Sequence, residues 1–437
     1  MHSFYSLIYS IAFVLMLPVF FLRREKYAAG FRERLGNYPQ KNNTRRSIWL
    51  HCVSVGEVNA ARPLIENILR NYPGFRLVIS TTTKTGQDMA RNIFGEKADV
   101  IYFPFDFKLS VRKALQAFNP SLILLMETEI WPRFITEAKL FGAKVAIVNG
   151  RLSQRSADRY SYIKPFIKRI LSRIDLALMQ AEPDADRIIK LGMNTAKTTV
   201  TGNLKFDIVL ENSELADTLR ERFAITKQRP LIIAASTHEP EEEWLIEAFA
   251  EFFLEPSQVR PRLMIAPRHP ERFDRVVDIV SSLGTGKFSL YPKLKLARRS
   301  ADEQPSDAAA DIILLDSIGE LRYVYELAEI VFVGGSLIPH GGQNILEPAA
   351  AGKAIITGPY THNFADAVRV FLANKALIQI PENRPEHIVD DIFLELSELL
   401  EDPEERERFG ANAAAVMKAN RGATTKTLRS LAALFKI

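Results

Sequence analysis

The sequence predicts an α/β protein: two doubly wound Rossmann-like domains facing a cleft, preceded by an N-terminal membrane-anchor helix. Three observations carry that expectation. Residues 4–22 contain no formal charge. Short apolar runs then alternate with amphipathic stretches of helical length, and the alternation starts afresh after residue 229. Several of the apolar runs end in polar, glycine-containing turns, and in such sheets the strand ends are where ligands bind.

The first element is the anchor, residues 1–22. As a helix, the nineteen residues from Phe4 to Leu22 cover about 28 Å, the thickness of a bilayer's hydrocarbon. No Lys or Arg precedes them and no small-residue cleavage site follows, so a cleaved signal peptide fits poorly. Arg23, Arg24 and Lys26 come next, and the positive-inside rule then places the body of the chain in the cytoplasm, at the inner membrane. Pro18 and the modest length leave a second form open, a helix lodged in one leaflet. The charge balance agrees with a membrane-side position. Residues 1–46 hold eight Lys/Arg against two acids, leaving 49 of the 57 basic and 50 of the 52 acidic residues elsewhere. The net charge of +5 thus belongs to the N-terminal neighbourhood, which suits an anionic phospholipid surface and argues against a nucleic-acid partner.

The first domain is expected over 23–208. Its strand candidates are Ile48–Val53, Leu77–Thr81, Val100–Phe103, Leu122–Met126, Lys144–Val148 and Leu176–Met179, with helices such as Val58–Leu69 and Phe134–Phe141 between them. Buried-looking strands alternating with helices imply parallel sheets covered on both faces. Residues 209–229 are polar and charged and read as a linker. The second domain, 230–437, repeats the plan with Leu231–Ala235, Leu263–Ala266, Ile312–Leu315, Ile330–Val333 and Ala354–Ile356. Leu294–Ala310 reads as a surface loop, and the last forty residues read as helices. A chain of 437 residues, 47% hydrophobic and 25% charged, accommodates two globular domains of ordinary size. The single cysteine, Cys52, excludes an internal disulfide, fits a reducing compartment and reads as packing.

The turns hold the chemistry. Ile330–Val333 empties into Gly334-Gly335-Ser336, and His340-Gly341-Gly342-Gln343-Asn344-Ile345-Leu346-Glu347-Pro348 opens a helix. Glycines permit close backbone approach and a helix start offers free N–H groups, so the segment reads as a phosphate or nucleotide site, the alternative being a tight turn without a ligand. Glu57, beside Gly56 at the end of Ile48–Val53, can accept a proton from an attacking hydroxyl or can simply complement a helix dipole. Glu127 and Glu129, before Pro132, can act as acid or positioning groups, and one of them reads as a helix-start acid. Arg151 suits a bidentate anion contact. Arg268 can pair with a phosphate or a carboxylate, and Arg272 lies a helical turn further on. Lys205, in the segment that closes the first half, can face the cleft, and Ser236 ends the first strand of the second half, where hydroxyls cap a helix or hold a phosphate. No Cys/His cluster has zinc spacing, no Asp-x-Asp ends a strand and no Walker A motif is present. Charge stabilisation by arginine, lysine and helix N-termini is therefore expected, with no metal and no cofactor.

Six ordered motifs resemble those of one family. Ser54-Val55-Gly56-Glu57, Glu127-Thr128-Glu129-Ile130-Trp131-Pro132, Asn149-Gly150-Arg151-Leu152-Ser153, Gly202-Asn203-Leu204-Lys205-Phe206-Asp207, Ala266-Pro267-Arg268-His269-Pro270-Glu271-Arg272 and the His340–Pro348 segment resemble those of the bacterial Kdo (3-deoxy-D-manno-octulosonic acid) transferases of lipopolysaccharide assembly. The resemblance runs over nearly the whole chain. It implies a GT-B glycosyltransferase with an acceptor-binding N-terminal domain and a donor-binding C-terminal one, CMP-Kdo as donor and the lipid A precursor as acceptor. It also implies Glu57 as general base, and Arg268, Ser336, Gly341, Gly342, Asn344 and Glu347 around the CMP moiety. Lys205 would then lie near the phosphate or the Kdo carboxylate. Direct displacement by one attack implies inversion at the anomeric carbon. Two other readings compete: a UDP-sugar epimerase of similar architecture, which gives no reason for a membrane anchor, and a non-catalytic membrane-tethered binder, which would tolerate loss of Glu57.

Overall fold

A computed structural model describes residues 2–22, 29–39, 45–208, 214–254, 260–382 and 385–435. The chain forms two compact units, Met1–Asp207 with Asn420–Ile437, and Ile208–Ala419. The N-terminal unit is built on a parallel sheet of β1 (Ser47–His51), β2 (Arg76–Thr81), β3 (Asp99–Tyr102), β4 (Pro120–Met126), β5 (Lys144–Gly150), β6 (Leu176–Met179) and β7 (Thr198–Val200). The order is β3-β2-β1-β4-β5-β6-β7, with Leu50 of β1 beside Ile79 of β2 and Leu124 of β4. From β1 the chain winds outward through β2 and β3, then returns to place β4 on the other side. The carboxyl ends of β1 and β4 thus form the switch point at which open α/β sheets bind ligands.

β1 and β4 are buried on both faces, which is why they read as unbroken apolar runs. On one face Trp49 packs edge-on against Phe118 and Phe134, at 5.5 and 5.3 Å between ring centroids. On the other, Leu50, Ile79 and Leu124 join Val58 and Leu64 of the helix Val55–Asn71.

The C-terminal unit repeats the architecture with β8 (Leu231–Thr237), β9 (Arg262–Pro267), β10 (Leu296–Arg298), β11 (Ile312–Leu314), β12 (Ile330–Val333), β13 (Ala354–Thr357) and β14 (Ile378–Gln379), ordered β10-β11-β9-β8-β12-β13-β14. Its switch point lies at the ends of β8 and β12, which pair in parallel.

Several expectations need correction. The strands β7, β10 and β14 went unread because each is two or three residues long and lies at a sheet edge, where no apolar run is required. The 294–310 loop therefore contains β10 and a 3₁₀ turn, Pro305–Ala309. The linker expected over 209–229 is instead packed structure from 214 onward, residues 209–213 lying outside the described set. Its helix Glu214–Arg222 buries Leu219, and Arg222 donates to Asp307 at 2.8 Å and to the carbonyls of Arg298, Arg299 and Ala301. The chain after 420 does not belong with 230–419. Asp207 accepts from the backbone N–H groups of Gly422 and Thr424, Leu431 is buried in the N-terminal core, and Phe435 stacks on Tyr72 at 3.9 Å.

The membrane-spanning reading of residues 4–22 also changes. They lie in a helix, His2–Leu22, but among the described residues no helix is long and apolar enough to cross a membrane. The helix carries polar hydroxyls that bind the N-terminal unit. Tyr5 donates to Asp106 at 2.7 Å, the Asp106 N–H donates to Tyr9 at 3.2 Å, and Arg133 reaches Ser6. Arg23, Arg24 and Lys26 lie outside the described residues.

Candidate functional site

At the N-terminal switch point the helix Val55–Asn71 starts on Ser54. Glu57, three residues in, turns back on this start. One carboxylate oxygen accepts from the Val53 N–H at 2.9 Å and the other from the Ser54 hydroxyl at 3.3 Å. These two bonds tie the first turn of the helix back to the end of β1, while the Ser54 side chain itself caps no helix N–H. The Val53 and Ser54 bonds alone would lower the pKa, yet the carboxyl is pushed up to about 7. Burial is the leading cause, only partly offset by the Val53 N–H, and the charges of Glu127 and Glu129 raise it further. Glu57 is 8% exposed. A Cβ at Gly56 would meet only the Ser54 hydroxyl, at 3.9 Å, so the space over Gly56 is open. A carboxyl of this kind exchanges a proton near neutral pH.

The loop after β4 supplies the other two acids. Glu127 has a left-handed backbone, φ 52°, a strained choice for a glutamate and a mark of a position set by function or close packing. Its carboxylate lies 3.8 Å from Lys205 Nζ. Lys205 sits in the turn Leu204–Phe206, which is held in place because the Leu204 N–H donates to Asn149 at 2.9 Å. Lys205 therefore belongs to the N-terminal unit and faces an acid, although the sequence had grouped it with the donor side. The Glu129 carboxyl is raised by burial, an effect opposed by the Trp131 side chain and reinforced by Glu127. Arg151 is half-buried on the loop after β5, and its carbonyl accepts the Thr128 hydroxyl, tying the β4 and β5 loops together. Glu57, Glu127, Glu129, Lys205 and Arg151 thus share one sheet edge.

In the C-terminal unit the glycine-rich turn differs from expectation. The fully buried carboxylate of Glu241 accepts from the N–H groups of His238, Gly335, Ser336 and Leu337 at 2.7–3.0 Å. The turn is an anion-binding nest already filled by the protein's own acid. Ser336 is 0% exposed, its hydroxyl donating to Val333 and accepting from the Gly358 N–H at 2.8 Å. It clamps the β12 and β13 turns together and has no face free for a nucleotide. The helix start expected at this turn is also displaced. Gly335, Gly341 and Gly342 all have positive φ, so the chain becomes helical only at Leu346–Ala350. Glycine is required at Gly341, where a Cβ would fall 2.5 Å from His362 and 2.6 Å from Asn363. Asn344 accepts from the Leu346 N–H at 3.0 Å and donates to Glu347 at 3.1 Å, and burial raises the Glu347 carboxyl.

Ser236, one residue before the end of β8, has a left-handed backbone, φ 54°, and is half-buried. Arg268 follows β9 and is exposed, and among the described residues its guanidinium has no hydrogen-bond or ion-pair partner. Arg272, by contrast, is bound to Glu239 and Glu242 at 2.9 and 3.3 Å and braces the turn. Sequence reasoning missed Glu241 and His238. The signal for Glu241 was slight, one acid among three in a helix's first turn. Among the described residues no group of three or more His, Cys, Asp or Glu side chains is arranged to hold a metal ion.

Comparison with known proteins adds to this geometry. Residues 29–208 match a family model described as 3-deoxy-D-manno-octulosonic-acid transferase (kdotransferase). A 3-deoxy-D-manno-octulosonic acid transferase of Haemophilus influenzae is 34% identical over 409 residues, covering 93% of this chain and 92% of its own length. One from Bordetella pertussis is 34% identical over 390 residues, covering 88% and 86%. Among solved structures, the UDP-GlcNAc 2-epimerase of Neisseria meningitidis bound to UDP-GlcNAc superposes with a TM-score of 0.58 at 14% identity, covering 89% of this chain and 100% of that one. At that identity the likeness concerns the fold alone: parallel-sheet α/β domains of the kind found in GT-B glycosyltransferases.

Proposed function

The chain belongs to the 3-deoxy-D-manno-octulosonic acid (Kdo) transferase family, and from that premise we propose that it moves Kdo from CMP-Kdo to a sugar hydroxyl of the lipid A precursor, with inversion and without a metal. The observation that carries this reading is the Glu57 carboxyl, buried at a strand-end switch point and pushed up to about 7. A base with that pKa accepts a hydroxyl proton efficiently at neutral pH. In the reaction the acceptor oxygen attacks the anomeric carbon as Glu57 takes its proton. The bond from that carbon to the donor phosphate breaks, and its electron pair stays on the phosphate oxygen of the departing CMP. Arg268 offers an unpaired guanidinium to that charge, and Asn344 and Glu347 offer an amide and a carboxyl to the nucleoside. Ser336 has no part in binding, because its hydroxyl is committed to the turn. Burial first, and then the charges of Glu127 and Glu129, keep Glu57 basic, and Lys205 and Arg151 give the same edge a cationic side for an anionic acceptor.

The helix His2–Leu22 supports a position at the inner membrane's cytoplasmic surface. It turns Tyr5, Tyr9 and Phe13 toward the protein, where Phe13 packs edge-on against Phe105 and Phe107. Leu7, Ile8, Ile11, Val14 and Leu15 remain exposed, Leu15 at 72%. An apolar stripe on a helix held by its other face suits insertion into one leaflet. The test is incubation of the purified chain with the lipid A precursor and either CMP-Kdo, generated in situ, or a UDP-sugar. A product heavier by Kdo only with CMP-Kdo supports the proposal. Turnover of UDP-sugars alone would replace it with the epimerase reading.

A further inference from the structure

Three imidazoles converge at the C-terminal unit's switch point, from three different strand ends. His238 follows β8, His269 follows β9 and His340 lies in the glycine-rich turn after β12. The His238 ring lies 4.2 Å from that of His340, tilted by 38°, and 5.3 Å from that of His269, edge-on. His238 is 7% exposed, while His269 and His340 are open to solvent. The Gln343 amide approaches His238 Nε2 at 3.1 Å, so a second residue of the same turn holds the central ring. Arg268 stands next to His269 with its guanidinium exposed.

Both outer rings pack on His238, and among the described residues neither has a hydrogen-bond or ion-pair partner. His238 packs as a wedge, but His269 and His340 project ring N–H groups into solvent beside an arginine. Meanwhile the amides that usually hold a phosphate at such a turn are taken, since Glu241 accepts from Gly335, Ser336 and Leu337. A phosphate brought to this edge meets side chains, not backbone.

We propose that His269 and His340, ranged around His238 and beside Arg268, form the receptor for the donor's single phosphate, in place of the turn amides that Glu241 occupies. The proposal rests on the reading of the chain as a CMP-sugar transferase and deepens it. As the anomeric C–O bond breaks, the phosphate passes from one negative charge to two. Ring N–H groups and the guanidinium meet that added charge with hydrogen bonds that strengthen as it grows. No proton need be transferred to the leaving group, and Glu57 alone carries away the acceptor's proton. His238 supports the arrangement by staying uncharged. Its pKa is lowered to about 4, first by burial and then by His340, His269 and Arg268, so the wedge adds no repulsion to its neighbours at neutral pH.

The experiment compares CMP with cytidine, which lacks the phosphate, by isothermal titration against the full chain in detergent. Wild type and the exposed-site variants H269A and H340A are measured, with melting temperatures as a folding control. The expected result is that wild type prefers CMP and that each variant loses about tenfold in CMP affinity, with cytidine affinity unchanged. Variants that keep the wild-type preference would overturn the proposal and leave the transferase reading standing. A wild type that shows no preference for CMP would overturn both.

Discussion

Replacing Glu57 with glutamine separates its catalytic role from its structural one. Folding raises this carboxyl from the usual 4.5 to about 7, with burial the main cause. That difference corresponds to about 3 kcal/mol between the protonated and ionised forms. Because the folded pKa is raised, the associated stability is fully present below about 4.5 and is lost as the pH rises through about 7. Glutamine carries no charge to desolvate, and its carbonyl oxygen can still accept from the Val53 N–H. E57Q should therefore be more stable than wild type at pH 8, by about 2–3 kcal/mol, and close to it at pH 5. Hydrogen exchange of the β1 and β4 amides at the two pH values reads this locally, without assuming that both units unfold together. Transfer should meanwhile fall by a factor of about 10²–10⁴, the range for loss of a general base. A variant less stable than wild type at pH 8 would identify Glu57 as a structural brace of the strand end first, and near-normal turnover would remove it from the mechanism.

Three further outcomes follow from the same geometry. In a pH–rate profile, kcat/KM should fall as the pH drops through about 7, when Glu57 is protonated, and E129Q should move that limb to lower pH because Glu129 raises the Glu57 pKa. A limb unmoved by E129Q would contradict the coupling. E241A leaves four backbone N–H groups without their acceptor and should cost about 4 kcal/mol or more, read as a loss of the C-terminal unit's thermal stability. Excess EDTA should leave transfer largely unchanged, and a collapse restored by magnesium would show that Arg268 and its neighbours do not suffice for the leaving phosphate.

The sequence revealed what periodicity encodes. The central strands β1, β4, β8, β9 and β12 are buried on both faces, so their apolar runs stood out, and their polar ends located both switch points. Glu57 was legible as an acid at a strand end. What makes it a base was not, because its burial, and then the charges of Glu127 and Glu129, arise only once β1 pairs with β4. Edge strands such as β10 bury too little to leave a pattern. The return of the Ala423–Phe435 helix to the N-terminal unit depends on Asp207, an acid more than two hundred residues away that binds its start. The glycine-rich turn was located, but its amides do not have the role expected of them. Glycine spacing announces a nest of N–H groups, yet it does not say whether the anion inside comes from a ligand or, as with Glu241, from the protein. The N-terminal helix was likewise found from its missing charges, while the hydroxyls of Tyr5 and Tyr9 that dock it went unweighed.

The most direct test of the account measures wild type and E57Q side by side, with CMP-Kdo generated in situ, the lipid A precursor as acceptor, and products resolved by mass spectrometry. The account predicts that wild type adds the mass of one or more Kdo units, and that folded E57Q adds none on the same timescale. No mass gain from folded wild type, or equal gain from both proteins, would contradict it.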